Sequence, residues 1–241
     1  MAKSENIFKR YELKYLLSEE QYRLLKERLK DYIKPDEYKE STVCSLYYDT
    51  PQKVLIRRSL ERPAYKEKLR LRSYGVAKGD TKVFVELKKK YGGIVYKRRV
   101  GMKCDEAEKY LNGKEKAKQT NQIKDEIDYF LKFYGDVEPS ILLFYDRTAF
   151  VGCEDESLRI TFDKNILYRE NDLSLKKGVY GTRIIEEGQV LMELKVSHSI
   201  PLWLVHILNE LKIYKTSFSK YGTAYCMSLK TEKLREERIC G

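Results

Sequence analysis

From Lys66 to Arg72 the chain reads Lys-Glu-Lys-Leu-Arg-Leu-Arg, with a cation at every even position and leucine at 69 and 71. Side chains alternate faces along a β-strand, so this spacing predicts a strand with one basic face and one apolar face. The same period returns at Phe84-Val85-Glu86-Leu87-Lys88, where Glu86 and Lys88 oppose Val83, Val85 and Leu87. After a Gly92-Gly93 turn, Val95, Lys97 and Arg99 oppose Ile94, Tyr96 and Val100. The three segments predict an antiparallel meander whose second pair is joined by a hairpin.

Elsewhere the rule repeats. Arg10, Glu12 and Lys14 alternate with Tyr11, Leu13 and Tyr15, and Arg159, Thr161 and Asp163 oppose Leu158, Ile160 and Phe162. Tyr145 and Arg147 run in phase against Phe144 and Phe150, with Asp146 out of step. Glu193 and Lys195 oppose Met192, Leu194 and Val196; Lys215, Ser217 and Ser219 oppose Phe218; Tyr48 follows Leu46 in the run Val43 to Asp49. About eight such strands result. Two architectures satisfy them: an open sheet with its charged face in water, or a closed barrel with that face turned inward. Helices are expected over Glu19–Lys30 behind an N-cap at Ser18, from Asp105 to Leu111, from Lys116 to Tyr134, and from Pro201 to Leu211.

Charge is concentrated rather than spread. Lys and Arg number 48 against 37 Asp and Glu, and residues 57–103 hold 16 of those bases with only 4 acids. The rest of the chain is nearly neutral, so an anionic partner is expected for this stretch. The five cysteines are scattered without a C-x-x-C pair, which points to reduced structural thiols. The two histidines, His198 and His206, flank an apolar run, which argues against a Ser-His-Asp or Cys-His mechanism. Glycine-rich phosphate loops are absent, so phosphate handling would fall to side chains. No apolar run approaches the ~20 residues of a spanning helix. The first residues lack a signal-peptide stretch, and the expectation is a soluble cytoplasmic protein.

Like charges opposite one another across strands destabilise a sheet by ~0.2–1 kcal/mol per pair. An inward face of such charges would favour a polyanion. Glu12, Glu86, Asp163 and Glu193 share phase with the cations. Carboxylates placed there suit either a divalent cation, which takes oxygen ligands from one or two carboxylates plus phosphates, or neutralisation of neighbouring bases.

Eight segments then stand in order: Arg10-Tyr11-Glu12-Leu13-Lys14-Tyr15, Leu46-Tyr47-Tyr48-Asp49-Thr50, Lys68-Leu69-Arg70-Leu71-Arg72-Ser73-Tyr74-Gly75, Val83-Phe84-Val85-Glu86-Leu87-Lys88, Tyr145-Asp146-Arg147-Thr148-Ala149-Phe150, Leu158-Arg159-Ile160-Thr161-Phe162-Asp163, Met192-Glu193-Leu194-Lys195-Val196 and Phe218-Ser219-Lys220-Tyr221. Together they resemble the VTC domain, the polyphosphate polymerase domain of the CYTH-like triphosphate tunnel metalloenzyme superfamily. The resemblance covers nearly the whole chain. It implies an α+β fold in a single domain over residues 1–241. In that fold a closed antiparallel β-tunnel of about eight strands has a charged interior, with helices packed outside.

The implied reaction moves the γ-phosphate of ATP onto a polyphosphate chain with Mn²⁺ or Mg²⁺. The resemblance gives catalytic, phosphate-clamping roles to Lys68, Arg70, Arg72, Arg147 and Arg159. It gives further phosphate contacts to Lys14, Lys88, Lys97, Tyr145, Ser219 and Lys220; Lys195 is added on phase alone, and Tyr48 and Arg99 are expected among the phosphate-binding residues as well. Glu193 matches the metal ligand, with Glu12 and Glu86 as further candidates. Two departures stand out. Arg10 replaces the first acid of the E-x-E-x-K strand of the triphosphatase branch, which favours the polymerase branch, and Ser217 stands where polymerases carry a lysine. Expected partners are ATP and inorganic polyphosphate or triphosphate, with no nucleic acid; membrane association would need a membrane-protein partner. The alternatives are a tripolyphosphatase or nucleoside triphosphatase of the same superfamily, and a non-catalytic module binding polyphosphate or nucleic acid.

Overall fold

The computed structural model describes residues 11–92, 94–115, 121–197 and 199–240, with side chains as far as residue 231. Arg10, Gly93, residues 116–120, His198 and the Cys240 side chain lie outside the described residues. The period-two segments are strands: β1 (Tyr11–Leu17), β2 (Ile33–Asp49), β3 (Tyr65–Tyr74), β4 (Lys82–Tyr91), β5 (Ile94–Lys103), β6 (Glu138–Gly152), β7 (Arg159–Arg169), β8 (Thr182–Arg183), β9 (Val190–Val196) and β10 (Lys215–Thr216). Six helices accompany them among the described residues: α1 (Glu19–Arg28), α2 (Val54–Leu60), α3 (Cys104–Leu111), α4 (Gln122–Tyr134), α5 (Leu202–Glu210) and α6 (Lys220–Cys240). The fold is α+β. Its strands pair in the order β10-β1-β9-β7-β6-β2-β3-β4-β5, with β8 on β7, and among the described residues backbone pairing does not close this path into a ring.

The chain divides into two units. The first comprises Met1–Ser41, Arg147–Lys164 and Ile185–Ser217. Within it, β1 and β9 pair so that Leu13, Tyr15 and Leu17 face Leu194, Met192 and Val190. Their apolar side packs with Leu25 and Leu29 near α1 and Leu204, Ile207 and Leu208 of α5. Ser18 caps α1 by accepting the Gln21 amide, while the Gln21 side chain accepts the Ser18 amide, so two orphan donors are satisfied reciprocally.

The second unit comprises Thr42–Asp146, Asn165–Ile184 and Phe218–Gly241. In its meander, β3, β4 and β5 are antiparallel neighbours, and Gly92, at φ +53°, makes the turn between Tyr91 and its partner Ile94. Leu69, Leu71, Val83, Val85 and Leu87 are fully buried against Ala107, Tyr110 and Leu111 of α3 and Ile127 and Phe130 of α4. Buried Asp49 ends β2 and accepts the amides of Leu55 and Ile56, fixing the start of α2. The Arg169 guanidinium lies between the rings of Phe144 and Tyr180 and donates to the carbonyls of Asp172, Ser174, Lys177 and Gly178. The loop after β7 is thereby folded around one side chain.

The sequence periodicity does not mark α2, α6 or β8, and one expected strand is shortened. The strand expected over Lys215–Ser219 is only the two-residue β10, because Ser219 Oγ accepts the Gly222 amide at 3.2 Å and so caps α6. Asp146, out of phase in sequence, is exposed and accepts hydrogen bonds from Thr42 and Asn165. Cys44, Cys104, Cys153 and Cys226 are free thiols. No helix among the described residues is long and apolar enough to cross a membrane.

Candidate functional site

In the second unit, register alone assembles a charged face. Lys68 lies opposite Lys88, which lies opposite Lys97; Arg70 lies opposite Glu86, which lies opposite Arg99. Directly opposed residues of an antiparallel pair share a face. Glu86, with no exposed surface, is the acidic centre of this patch. Its Oε2 accepts Arg70 Nε at 2.8 Å, with Arg70 Nη2 at 2.7 Å and Arg72 Nε at 3.8 Å. Lys97 Nζ approaches Oε1 to 2.6 Å, a charge contact rather than an aligned hydrogen bond. Burial opposes ionisation of Glu86, but Arg70, Arg72 and Lys97 outweigh it and bring its carboxyl down to about 2. Burial also lowers Lys97, to about 8, against the pull of Glu86.

Neutral groups finish the patch. Arg70 Nη1 donates to the Tyr47 hydroxyl at 3.0 Å, and Arg72 donates to Ser45 Oγ and to the Tyr145 hydroxyl, each at 3.1 Å. Lys68 Nζ reaches Ser219 Oγ at 3.4 Å, and Lys220 Nζ sits 4.7 Å from the Tyr145 ring centre. The Arg99 guanidinium stacks 3.8 Å above the Phe84 ring. Lys68, Arg70, Arg72, Lys88, Lys97 and Arg99 thus gather around the buried carboxylate of Glu86, with Lys220 of α6 beside Tyr145. A face so rich in cations favours an anionic ligand.

Tyr48, expected among the phosphate contacts, is elsewhere. It is 1% exposed and packs in the apolar core with Leu46, Leu69 and Leu71. The pleat puts its neighbour Tyr47 on the charged face instead, directly opposite Arg70. Tyr47 is the site residue that the sequence reading passed over.

The first unit holds a second charged face. Glu12 lies opposite Lys195 and Lys14 opposite Glu193, while Arg159 and Thr161 of β7 lie opposite Lys195 and Glu193. Arg147 donates through Nε and Nη2 to both oxygens of buried Asp163, at 2.6 and 2.7 Å, and its Nη2 stands 3.5 Å from Glu193 Oε2. Lys14 Nζ lies 3.5 Å from Glu12 and 3.7 Å from Glu193. Arg159 is half exposed and faces Asp36 at 3.6 Å.

The carboxylates differ in what they suit. Glu86 is surrounded by three cations whose field repels a further one, so it is an anchor for Arg70 and does not fit as a metal ligand. Glu193 and Glu12 both reach the Lys14 ammonium, and their oxygens are the hard donors that Mg²⁺ or Mn²⁺ takes. Among the described residues no three His, Cys, Asp or Glu side chains gather as a metal cage. A cation held by these two carboxylates, beside Lys14 and Arg147, would have to complete its shell with phosphate oxygens and water.

The VTC domain family profile matches residues 9–229. No curated protein matches the chain significantly. Among solved structures, a candidate adenylate cyclase from Bacillus halodurans aligns at TM-score 0.56 and 14% identity, covering 88% of this chain and 95% of that one. A candidate adenylate cyclase from Vibrio parahaemolyticus aligns at TM-score 0.45 and 12% identity, over 90% of this chain and 97% of that one. A protein from Pyrococcus horikoshii gives TM-score 0.46 at 13% identity, over 91% and 99%. The first of these likenesses is one of fold. With a family match running from the first described strand into the last helix, the chain belongs to the VTC domain family.

Proposed function

We propose that this protein is a metal-dependent phosphotransferase that moves the γ-phosphate of ATP onto a polyphosphate chain, its charged strand faces lining a closed tunnel. The observation that carries the reading is the β3–β5 face, where Lys68, Arg70, Arg72, Lys88, Lys97 and Arg99 gather about the buried carboxylate Glu86. Phosphoryl transfer asks a protein for positioning and for neutralisation of charge on the transferred group, with little covalent chemistry. Arg70, Arg72 and Arg147 offer planar donor forks for bidentate phosphate contacts, while Lys68, Lys88, Lys97 and Lys220 act as point charges. Arg70 keeps two of its five N–H donors outside its contacts with Glu86 and Tyr47. Tyr145 and Ser219, held beside Arg72 and Lys68, add neutral hydroxyl contacts. Lys14, Lys195, Arg99 and Arg159 extend the binding surface in the same reading.

A divalent cation, when bound at Glu193 with Glu12, would neutralise charge on phosphate oxygens. The acceptor is a phosphate oxygen that is already anionic, so a strong general base is not required. The test is incubation with ATP and Mn²⁺ followed by gel analysis. Polymer and ADP are expected. Orthophosphate as the sole phosphate product would make the protein a hydrolase, and salt-sensitive binding of polyphosphate without turnover would make it a binding module.

A further inference from the structure

Tyr47 sits in a chain of contacts that ends on Arg70. The amides of Leu55 and Ile56 hold Asp49; the Tyr221 hydroxyl donates to Asp49 Oδ2 at 2.9 Å; and the Tyr221 ring stacks on Tyr47 with centres 4.3 Å apart and planes 13° apart. The Tyr47 hydroxyl then accepts Arg70 Nη1 at 3.0 Å. Every link but the last is buried, so the Tyr47 oxygen is fixed where it meets the guanidinium arm that Glu86 does not engage.

We propose that Tyr47 is a positioning residue for Arg70: its neutral hydroxyl holds one arm of the guanidinium and leaves the positive charge to an incoming phosphate, whereas its ionised form draws that charge into a Tyr47–Arg70 ion pair. The inference rests on the reading of Arg70 as a phosphate-binding group.

The surroundings of the two stacked phenols set them apart. Lys68, Arg70 and Arg72 of β3 act on Tyr47 directly, and Tyr168 of β7 and Tyr221 of α6 pack with it, Tyr221 held by Asp49 of β2. Beyond Arg70 stand Glu86 of β4, Lys97 of β5, Tyr145 of β6 and, over the Tyr145 ring, Lys220 of α6. Burial alone would raise the Tyr47 phenol, but Arg70, Lys68 and Arg72 outweigh it and lower it to about 8. Tyr221 is pushed upward by burial and by Asp49, so it keeps its proton as the fixed partner. An anion bound beside Arg70 opposes a phenolate next to it. Phosphate binding and protonation of Tyr47 are therefore linked, and affinity falls as pH rises through the range where Tyr47 ionises.

Calorimetric titration with inorganic triphosphate at pH 7 and pH 9 tests this. Lys97 loses charge in the same range, so the comparison is made in a Lys97→Arg background, whose guanidinium stays charged. With Tyr47 present, affinity is expected to fall about tenfold more between the two pH values than with Tyr47→Phe, which retains the ring but cannot ionise. In the unmodified protein, near-ultraviolet tyrosinate absorbance should show a phenol titrating near pH 8 that moves upward on saturation with triphosphate. Equal pH dependence with and without Tyr47, or the absence of that phenol from the titration, overturns this inference alone. Failure of the unmodified protein to bind triphosphate at pH 7 overturns the phosphate-binding reading together with it.

Discussion

Glu86 and Arg70 face each other directly across the β3–β4 ladder, and the 2.8 Å contact from Arg70 Nε to Glu86 Oε2 joins a fully buried carboxylate to a guanidinium. Removing one member of a buried ion pair costs more than the pair itself contributes, because the other charge is left without compensation. Glu86→Gln is expected to leave Arg70, Arg72 and Lys97 in mutual repulsion and to lower unfolding free energy by about 3–5 kcal/mol, read from denaturant melts.

The same carboxyl sets an acid limit. Its folded-state value, about 2, lies below the ordinary 4.5, so its contribution is complete above pH 4.5 and is lost as pH falls through 2. Thermal melts from pH 5 down to pH 2 should show the gap between the parent protein and Glu86→Gln narrowing as pH drops. A constant gap would mean that Glu86 is not ionised by its arginines.

Activity should depend on each charged face separately. Arg70→Ala and Glu193→Ala are each expected to lower ATP-dependent polyphosphate formation by about 10³-fold or more, with folded circular dichroism spectra retained. Arg70→Lys, which keeps the charge but loses the planar fork, should fall between the parent and Arg70→Ala. Product yield measured by gel and by ADP release checks all three.

Tyr47 and Tyr48 should separate cleanly. Tyr48→Ala opens a cavity among Leu46, Leu69 and Leu71 and is expected to cost about 3–5 kcal/mol of stability. Measured below its melting temperature, the folded variant should bind triphosphate as the parent does. A loss of affinity with unchanged stability would place Tyr48 in the site after all.

Most of the strand framework was legible because a period of two needs only the identity of successive side chains. Leu69, Leu71, Val83, Val85 and Leu87 are buried as their phase requires. Tyr47 was legible by the same rule, since Leu46 and Tyr48 turn to the core and the residue between them must turn away. The rest depended on contacts far apart in sequence. Asp49 starts α2 from across Pro51, and Lys53 at its N-cap has a positive φ, so no ordinary helix-start signal marked it. Ser219 looks like the end of a strand in sequence, because a serine cap and an in-phase serine are indistinguishable until the chain beyond turns helical. The role of Glu86 was open between metal ligand and counter-ion, and only the positions of Arg70, Arg72 and Lys97 separate the two.

Arg169 leaves one last consequence. A guanidinium clasped by four loop carbonyls and two rings stiffens a segment that has almost no ladder of its own. Lys176 and Lys177, both inside that clasp, are exposed cleavage points for trypsin by residue type, yet the backbone beside them is not free to enter a protease cleft. Tryptic digestion there, followed by mass spectrometry, should be slow and should speed up once Arg169 is replaced by methionine.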